Sequence, residues 1–151
     1  MTPFEFWNEY LKKTGQKTEN AVYNGELCFE DSSWAGQSQL SLVLAGKKTA
    51  IFTPFPSFDI NRETVPCGGE VYIVEDIAEE PCAVIRVKDV KLIPFNQIDW
   101  DLARQDGENE NLEDWQDKER EFFEDEADIC GFDFTEDMLV VCEIFELVYK
   151  K

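Results

Sequence analysis

The sequence predicts an α+β fold: a mostly antiparallel, barrel-like sheet with helices around it. Three observations predict it. Runs rich in β-branched and aromatic residues fall at 49–53, 70–75, 82–92 and 138–149, separated by short helices and turns without regular βαβ alternation. Apolar residues in the segments 2–14, 37–46 and 111–126 recur at helical spacing. The chain has 151 residues, 43% of them hydrophobic, enough for one core that buries roughly 70% of the unfolded surface. Residues 1–151 are read as a single domain, with 1–33 as an N-terminal helical extension packed on it.

The first element starts at Thr2-Pro3-Phe4-Glu5, with threonine as N-cap, proline at the first helical position and glutamate placed to close a capping box. Phe4, Trp7 and Leu11 then share a helical face, and the helix ends near Thr14-Gly15. Residues 16–33 are polar, with 21–29 expected as an irregular segment under the core. From Gln37 a second helix places Leu40, Val43 and Leu44 on one face, and Gly46 suits the left-handed position that ends it. Thr49–Thr53 reads as a short strand stopped by Pro54 and Pro56. Cys67-Gly68-Gly69 is a turn leading into the strand 70–75. In the strand 82–92, Ile85 and Val87 alternate with Arg86 and Lys88, so one face is buried and the other wet. A short helix at 99–104, a break at Asp106-Gly107 and a longer helix at 111–126 follow, the last burying Leu112, Trp115, Phe122 and Phe123. An apolar strand at 138–149 closes the chain.

There are 33 acidic residues against 14 basic ones and no histidine, giving a net charge of −19. Without histidine, Ser/His/Asp and Cys/His catalysis and imidazole-dependent metal sites are excluded. Proton transfer must use carboxylates, lysine, tyrosine or cysteine. Between Asp101 and Glu146, 18 acids face only Arg104, Lys118 and Arg120. Such a surface repels phosphate backbones and anionic lipid, so duplex DNA and membranes are not expected partners. Five widely spaced cysteines, Cys28, Cys67, Cys82, Cys130 and Cys142, read as reduced thiols. The first residues lack a basic start followed by an apolar run, so a cytoplasmic location is expected. No metal and no cofactor is expected.

Gly46-Lys47-Lys48-Thr49 lacks the spacing of a phosphate-binding P-loop. Taken alone, its lysines serve a helix C-terminus, where cations meet the helix dipole favourably. Asp106-Gly107-Glu108-Asn109-Glu110 lacks the spacing of a calcium loop. Taken alone, it is a solvated acidic loop.

Together these segments say more. The ordered series Leu42-Val43-Leu44-Ala45-Gly46-Lys47-Lys48-Thr49-Ala50, Cys67-Gly68-Gly69, Pro94-Phe95, Ala103-Arg104-Gln105-Asp106-Gly107-Glu108 and Leu112-Glu113-Asp114-Trp115 resembles an ASCH domain over roughly residues 30–149. More narrowly, it is similar to the longer bacterial branch of that family. The resemblance implies a PUA-like β-barrel with surrounding helices and a cleft beside the G-K-K-T turn. It also implies binding of RNA or modified nucleotides. A compact relative acts as an acetylcytidine amidohydrolase, and another bacterial member is described as a ribonuclease. In the amidohydrolase motif, Lys48 matches the lysine and Asp106 the catalytic carboxylate. The threonine nucleophile is replaced by Ile51. Thr53 preserves a second hydroxyl found in the longer branch, and Glu119 stands where that branch often has a histidine. Thr49 and Thr53 share Ile51's face but lie about 7 Å to either side of it.

The first functional reading is therefore binding of a nucleoside, a modified base or a short single-stranded RNA feature. Lys48 donates a charged hydrogen bond, Asp106 or Glu108 accepts from an exocyclic amine, Lys47 and Thr49 flank the site, and Trp34, Phe52 or Phe55 stacks on the base. The second is hydrolysis of an acylated pyrimidine nucleoside, with Lys48 as base, Asp106 as acid, and water or Thr53 as nucleophile. A ribonuclease and a degenerate site serving as an interaction module are further alternatives.

Overall fold

The computed structural model describes residues 1–16, 22–29 and 34–151, without the side chains of 34–38. The chain folds as α1 (Pro3–Thr14), β1 (Gly25–Cys28), α2 (Trp34–Leu44), β2 (Ala50–Pro54), α3 (Phe55–Ile60), β3 (Val71–Glu75), β4 (Pro81–Pro94), α4 (Trp100–Ala103), α5 (Leu112–Cys130) and β5 (Leu139–Lys150). Short 3-10 turns cover Phe95–Gln97 and Arg104–Asp106.

Helix α1 starts with the expected capping box: Glu5 N–H donates to Thr2 Oγ1 at 3.1 Å, and Thr2 N–H donates to Glu5 Oε2 at 3.3 Å. Its buried face includes Trp7 and Leu11, as expected, but Phe6 and Tyr10 take the place of Phe4. Phe6, Trp7, Tyr10 and Leu11 pack on Ile73 and Val84, while Phe4 is 66% exposed. Residues 25–28, expected to be irregular, form β1 and pair in parallel with β3. The segment before residue 33 thus supplies a strand to the sheet as well as a helix. Helix α3 was hidden by its prolines. Pro56 lies in the first helical turn, where a missing N–H leaves no bond unmade.

The five strands form one curled sheet in the order β1-β3-β4-β5-β2, antiparallel except for β1–β3. It is a half-barrel, with β1 and β2 left as its edges. The long strand β4 serves both halves, pairing with β3 through Arg86 and with β5 along its length. Irregular register at Val84/Ile85 and Val87/Asp89 bends it between the halves.

Antiparallel register sorts the side chains into two faces. Phe52 stands opposite Cys142 on a face whose core includes Phe95, Leu102, Trp115 and Phe123. Ile51 stands opposite Glu143 on the other face, against Leu40 and Val43 of α2 and Val74, Ile85 and Phe145. In α5, Asn111 Oδ1 accepts from Asp114 N at 2.8 Å, fixing the start of the helix. Its buried ridge is Trp115, Phe123 and Ala127, an i, i+4 series around the partly buried Glu119. Phe122, expected to be buried, is 56% exposed because it falls beside that ridge.

Candidate functional site

The G-K-K-T turn lies between the end of α2 and the start of β2. Gly46 has φ 74°, and the N–H groups of Lys47 and Lys48 both donate to Leu42 O, at 2.9 and 3.1 Å. This turns the chain sharply enough to bring Lys48 inward. The segment 103–108 then closes on it. Thr49 N–H donates to Gln105 O at 2.8 Å, and Thr49 Oγ1 donates to Gln105 Oε1 at 3.1 Å.

Gly107 makes this approach feasible. Its φ is 95°, and a Cβ placed there would lie 2.9 Å from Lys47 O and 3.0 Å from Lys48 N. Both the backbone conformation and the space require glycine.

The result is a buried ion pair. Lys48 Nζ donates to Asp106 Oδ1, and the two residues are only 7% and 5% exposed. Trp115 Nε1–H donates to the other carboxylate oxygen, Asp106 Oδ2, at 3.1 Å. Trp115 is also fully buried, in edge contact with Phe52 and stacked on Phe95. Its ring is therefore core, as its helical spacing predicts, and its N–H is part of the site.

A second acid joins them. Glu119, one turn after Trp115, is partly buried and shares the electrostatic surroundings of Asp106. Burial foremost, and then the Asp106 carboxylate, hold the Glu119 carboxyl well above the ordinary carboxylate range; Glu108 adds to the shift, and Lys48 opposes it. The signal for Glu119 was in the sequence, as the residue at the branch's histidine position. Spacing alone did not reveal that it would share the surroundings of Asp106.

Of the other expected site residues, Thr49 is tied to Gln105, while Lys47 and Glu108 are exposed at the rim. Phe52 is 6% exposed and packed against Trp115, which leaves no face for a base to stack on. Phe55 is half-buried at the start of α3. The side chain of Trp34 lies outside the described residues. Thr53 lies opposite Val141 on Ile51's face of the sheet, whereas Asp106 is bonded to Trp115 in the core of the opposite face. The structure does not bring Thr53 to the Lys48–Asp106 pair.

Two features were not anticipated. Asn109 Oδ1 is buried with no partner among the described residues. A groove of about 240 Å³ runs past Gln105, between Lys91, Ile93 and Ile144 of the sheet and Gln97, Asp101 and Leu102.

An ASCH-domain family model matches residues 26–149, from β1 almost to the end of β5. The chain belongs to the ASCH domain family. The solved structure of an ASCH domain from Lactobacillus crispatus JV V101 has a TM-score of 0.84 and 28% identity, covering 96% of this chain and 92% of that one. A protein from Enterococcus faecalis V583 has a TM-score of 0.82 and 30% identity, covering 95% and 86%. No curated protein matches the chain. Among the described residues of this ASCH protein, no helix is long and apolar enough to cross a membrane, and no three His, Cys, Asp or Glu side chains are grouped to hold a metal ion.

Proposed function

We propose that this ASCH protein binds a nucleoside or modified base, free or in a short single-stranded RNA, at the Glu119–Asp106–Lys48 cluster. The observation that carries the reading is Glu119, a carboxyl whose surroundings favour the protonated form, braced from behind by a buried ion pair. A protonated carboxyl offers one donor and one acceptor side by side. That pair complements the ring nitrogen and exocyclic amine of cytosine or adenine. Asp106 is held by Lys48 and Trp115, so its own role is to position Glu119. Glu108, exposed beside Glu119, accepts from a second amine hydrogen. A net charge of −19 suits a small, weakly charged ligand better than a long polyanion.

The test is NMR titration of the protein with cytidine, adenosine and uridine. Saturable shifts at Glu119 and Glu108 that weaken in Glu119→Ala and persist in Glu119→Gln support the reading, because an amide also presents one donor beside one acceptor. No saturable shift with any of the three would sink it.

Hydrolysis of an acylated pyrimidine nucleoside is the weaker reading. Lys48 is engaged by Asp106, and neither nearby threonine meets the pair: Thr49 is bonded to Gln105, and Thr53, on β2, is on the other face. Water would have to be the nucleophile. Incubation with acetylcytidine, against a Lys48→Ala control, tests it directly.

A further inference from the structure

The groove of about 240 Å³ beside α4 takes no part in the Lys48 cluster: neither Lys48, Asp106 nor Glu119 lines it. Ile93 of β4 and Ile144 of β5 give it an apolar floor. Lys91 stands two residues before Ile93 on β4, so it points to the same face and borders that floor. Its Nζ is 3.9 Å from Asp89 Oδ2, beyond hydrogen-bond distance, and has no closer partner among the described residues.

The opposite wall is the chain that follows β4. Ile98 and Leu102 anchor the short helix α4 in the core beside Phe95. Asp99, Leu102 and Gln105 recur at every third position, so they form one ridge along the groove, apolar in the middle and polar at both ends. Asp99 Oδ1 accepts from Leu102 N–H at 3.0 Å, which caps the helix and leaves Oδ2 without a partner among the described residues. The Asp101 carboxylate and the Gln97 amide also have none there. At the far end, Gln105 Oε1 accepts from Thr49 Oγ1 at 3.1 Å, while Gln105 Nε2 reaches only Asp101 O, at 3.4 Å. One N–H of that amide is left to donate.

We infer that this groove is a second binding site, for a small zwitterion: an α-amino acid with an apolar side chain. Its walls carry opposite charge, Lys91 on the sheet side and Asp99 and Asp101 on the α4 side. The ligand's ammonium donates to the two carboxylates, its carboxylate accepts from Lys91 Nζ and Gln105 Nε2, and its side chain covers Ile93, Ile144 and Leu102. Volume sets the size. An apolar cavity of about 150 Å³ holds one benzene, so this groove takes about ten non-hydrogen atoms, enough for leucine and too few for a nucleotide. A phosphate or a simple carboxylate is repelled by Asp99, Asp101 and the net charge of −19. A simple alkylammonium leaves Lys91 unpaired and adds a like charge beside it. A neutral apolar molecule desolvates the charged walls without pairing them.

The probe is L-leucine, titrated into the full chain at neutral pH and constant ionic strength. Glycine lacks the apolar side chain, isoamylammonium lacks the carboxylate and isocaproate lacks the ammonium, so each analogue removes one of the three contacts. The readouts are the NMR methyl resonances of Ile93, Leu102 and Ile144 and the side-chain amide resonances of Gln97 and Gln105. Leucine is expected to give saturable shifts at these groups, and each analogue to bind about fivefold more weakly or worse. Lys91→Met should weaken leucine about fivefold and leave isoamylammonium no weaker. Asp99→Asn combined with Asp101→Asn keeps an oxygen to cap α4; it should weaken leucine to a similar degree and leave isocaproate no weaker. All three positions are exposed, and either variant carries the test if circular dichroism shows the other to be poorly folded. Absence of saturable shifts with leucine, an analogue that binds as tightly as leucine, or full leucine binding in a folded variant would overturn the inference.

Discussion

Replacing Glu143 by glutamine should stabilise this protein at high pH and leave it nearly unchanged in mild acid. Burial first, and the Glu70 carboxylate second, raise the Glu143 carboxyl from 4.5 to about 7 in the folded state. A folded pKa above the unfolded one means that the folded chain binds the extra proton between those two values. Stability contributed by this group is complete below about 4.5, falls as pH rises towards 7, and is fully lost beyond it. The gap, at 1.36 kcal/mol per unit, amounts to about 3 kcal/mol. Glutamine fills nearly the same volume and cannot ionise, so it avoids that loss. Relative to the parent, Glu143→Gln should gain about 3 kcal/mol at pH 8 and little at pH 4.5. For a chain of this size the gain corresponds to a rise in Tm of about 6 to 12 °C. Thermal and urea unfolding of both proteins at pH 4.5, 6 and 8, at fixed ionic strength, measures the difference. The acids that do not interact with Glu143 titrate alike in both chains and cancel. Parallel stability profiles across that range, or a variant less stable at pH 8, would refute the burial argument.

Other perturbations follow from the same structure. Asp106→Ala strands a buried ammonium and should cost about 3 to 5 kcal/mol in urea unfolding, whereas the double change Lys48→Met with Asp106→Leu should cost far less. Gly107→Ala must adopt a positive φ against the Lys47 carbonyl and should cost about 2 kcal/mol or more, with the Lys48 and Trp115 side-chain resonances displaced. If Glu119 reads a base in its protonated form, nucleoside affinity should fall as pH rises through the Glu119 titration, with Asp106, Lys48 and Glu108 as the charged groups facing it. In Glu119→Gln that pH dependence should vanish. On α5, Phe123→Ala should cost about 3 to 5 kcal/mol, while Phe122→Ser should change stability by less than about 0.5 kcal/mol.

The elements most legible in the sequence are those whose signals are local. The capping box at Thr2 and Glu5, the glycine after α2, and the alternation along β4 each report a hydrogen bond or a face within a few residues. What was misread depends on distant partners. β1 is four residues long and becomes a strand only because β3 offers it an edge. Phe122 and Phe4 are apolar residues at reasonable helical positions, but the surface each helix meets selects the neighbouring residues instead. At the site, the motif order placed Lys48 and Asp106 in one family pattern, and the fold joins them. The stacking role expected of Phe52 failed a geometric condition, since β2 turns that ring into the core beside Trp115. Glu143 could not be told from other acids in a chain with 33 of them, and the motif position of Glu119 did not show its surroundings, because burial is what sets both apart.

The position of α1 bears on where this protein can be cut. The family match begins at residue 26, after the helix. Yet Phe6, Trp7, Tyr10 and Leu11 cover Ile73 and Val84, with Val71, Val148 and Tyr149 packed around them, and the terminal ammonium reaches Glu80. A fragment trimmed to the family boundary would keep every ASCH motif and expose an apolar strip across three strands. The recognisable family segment and the cooperative folding unit therefore have different ends, and expression of residues 26–149 alone should yield an aggregating chain rather than a smaller version of the same protein.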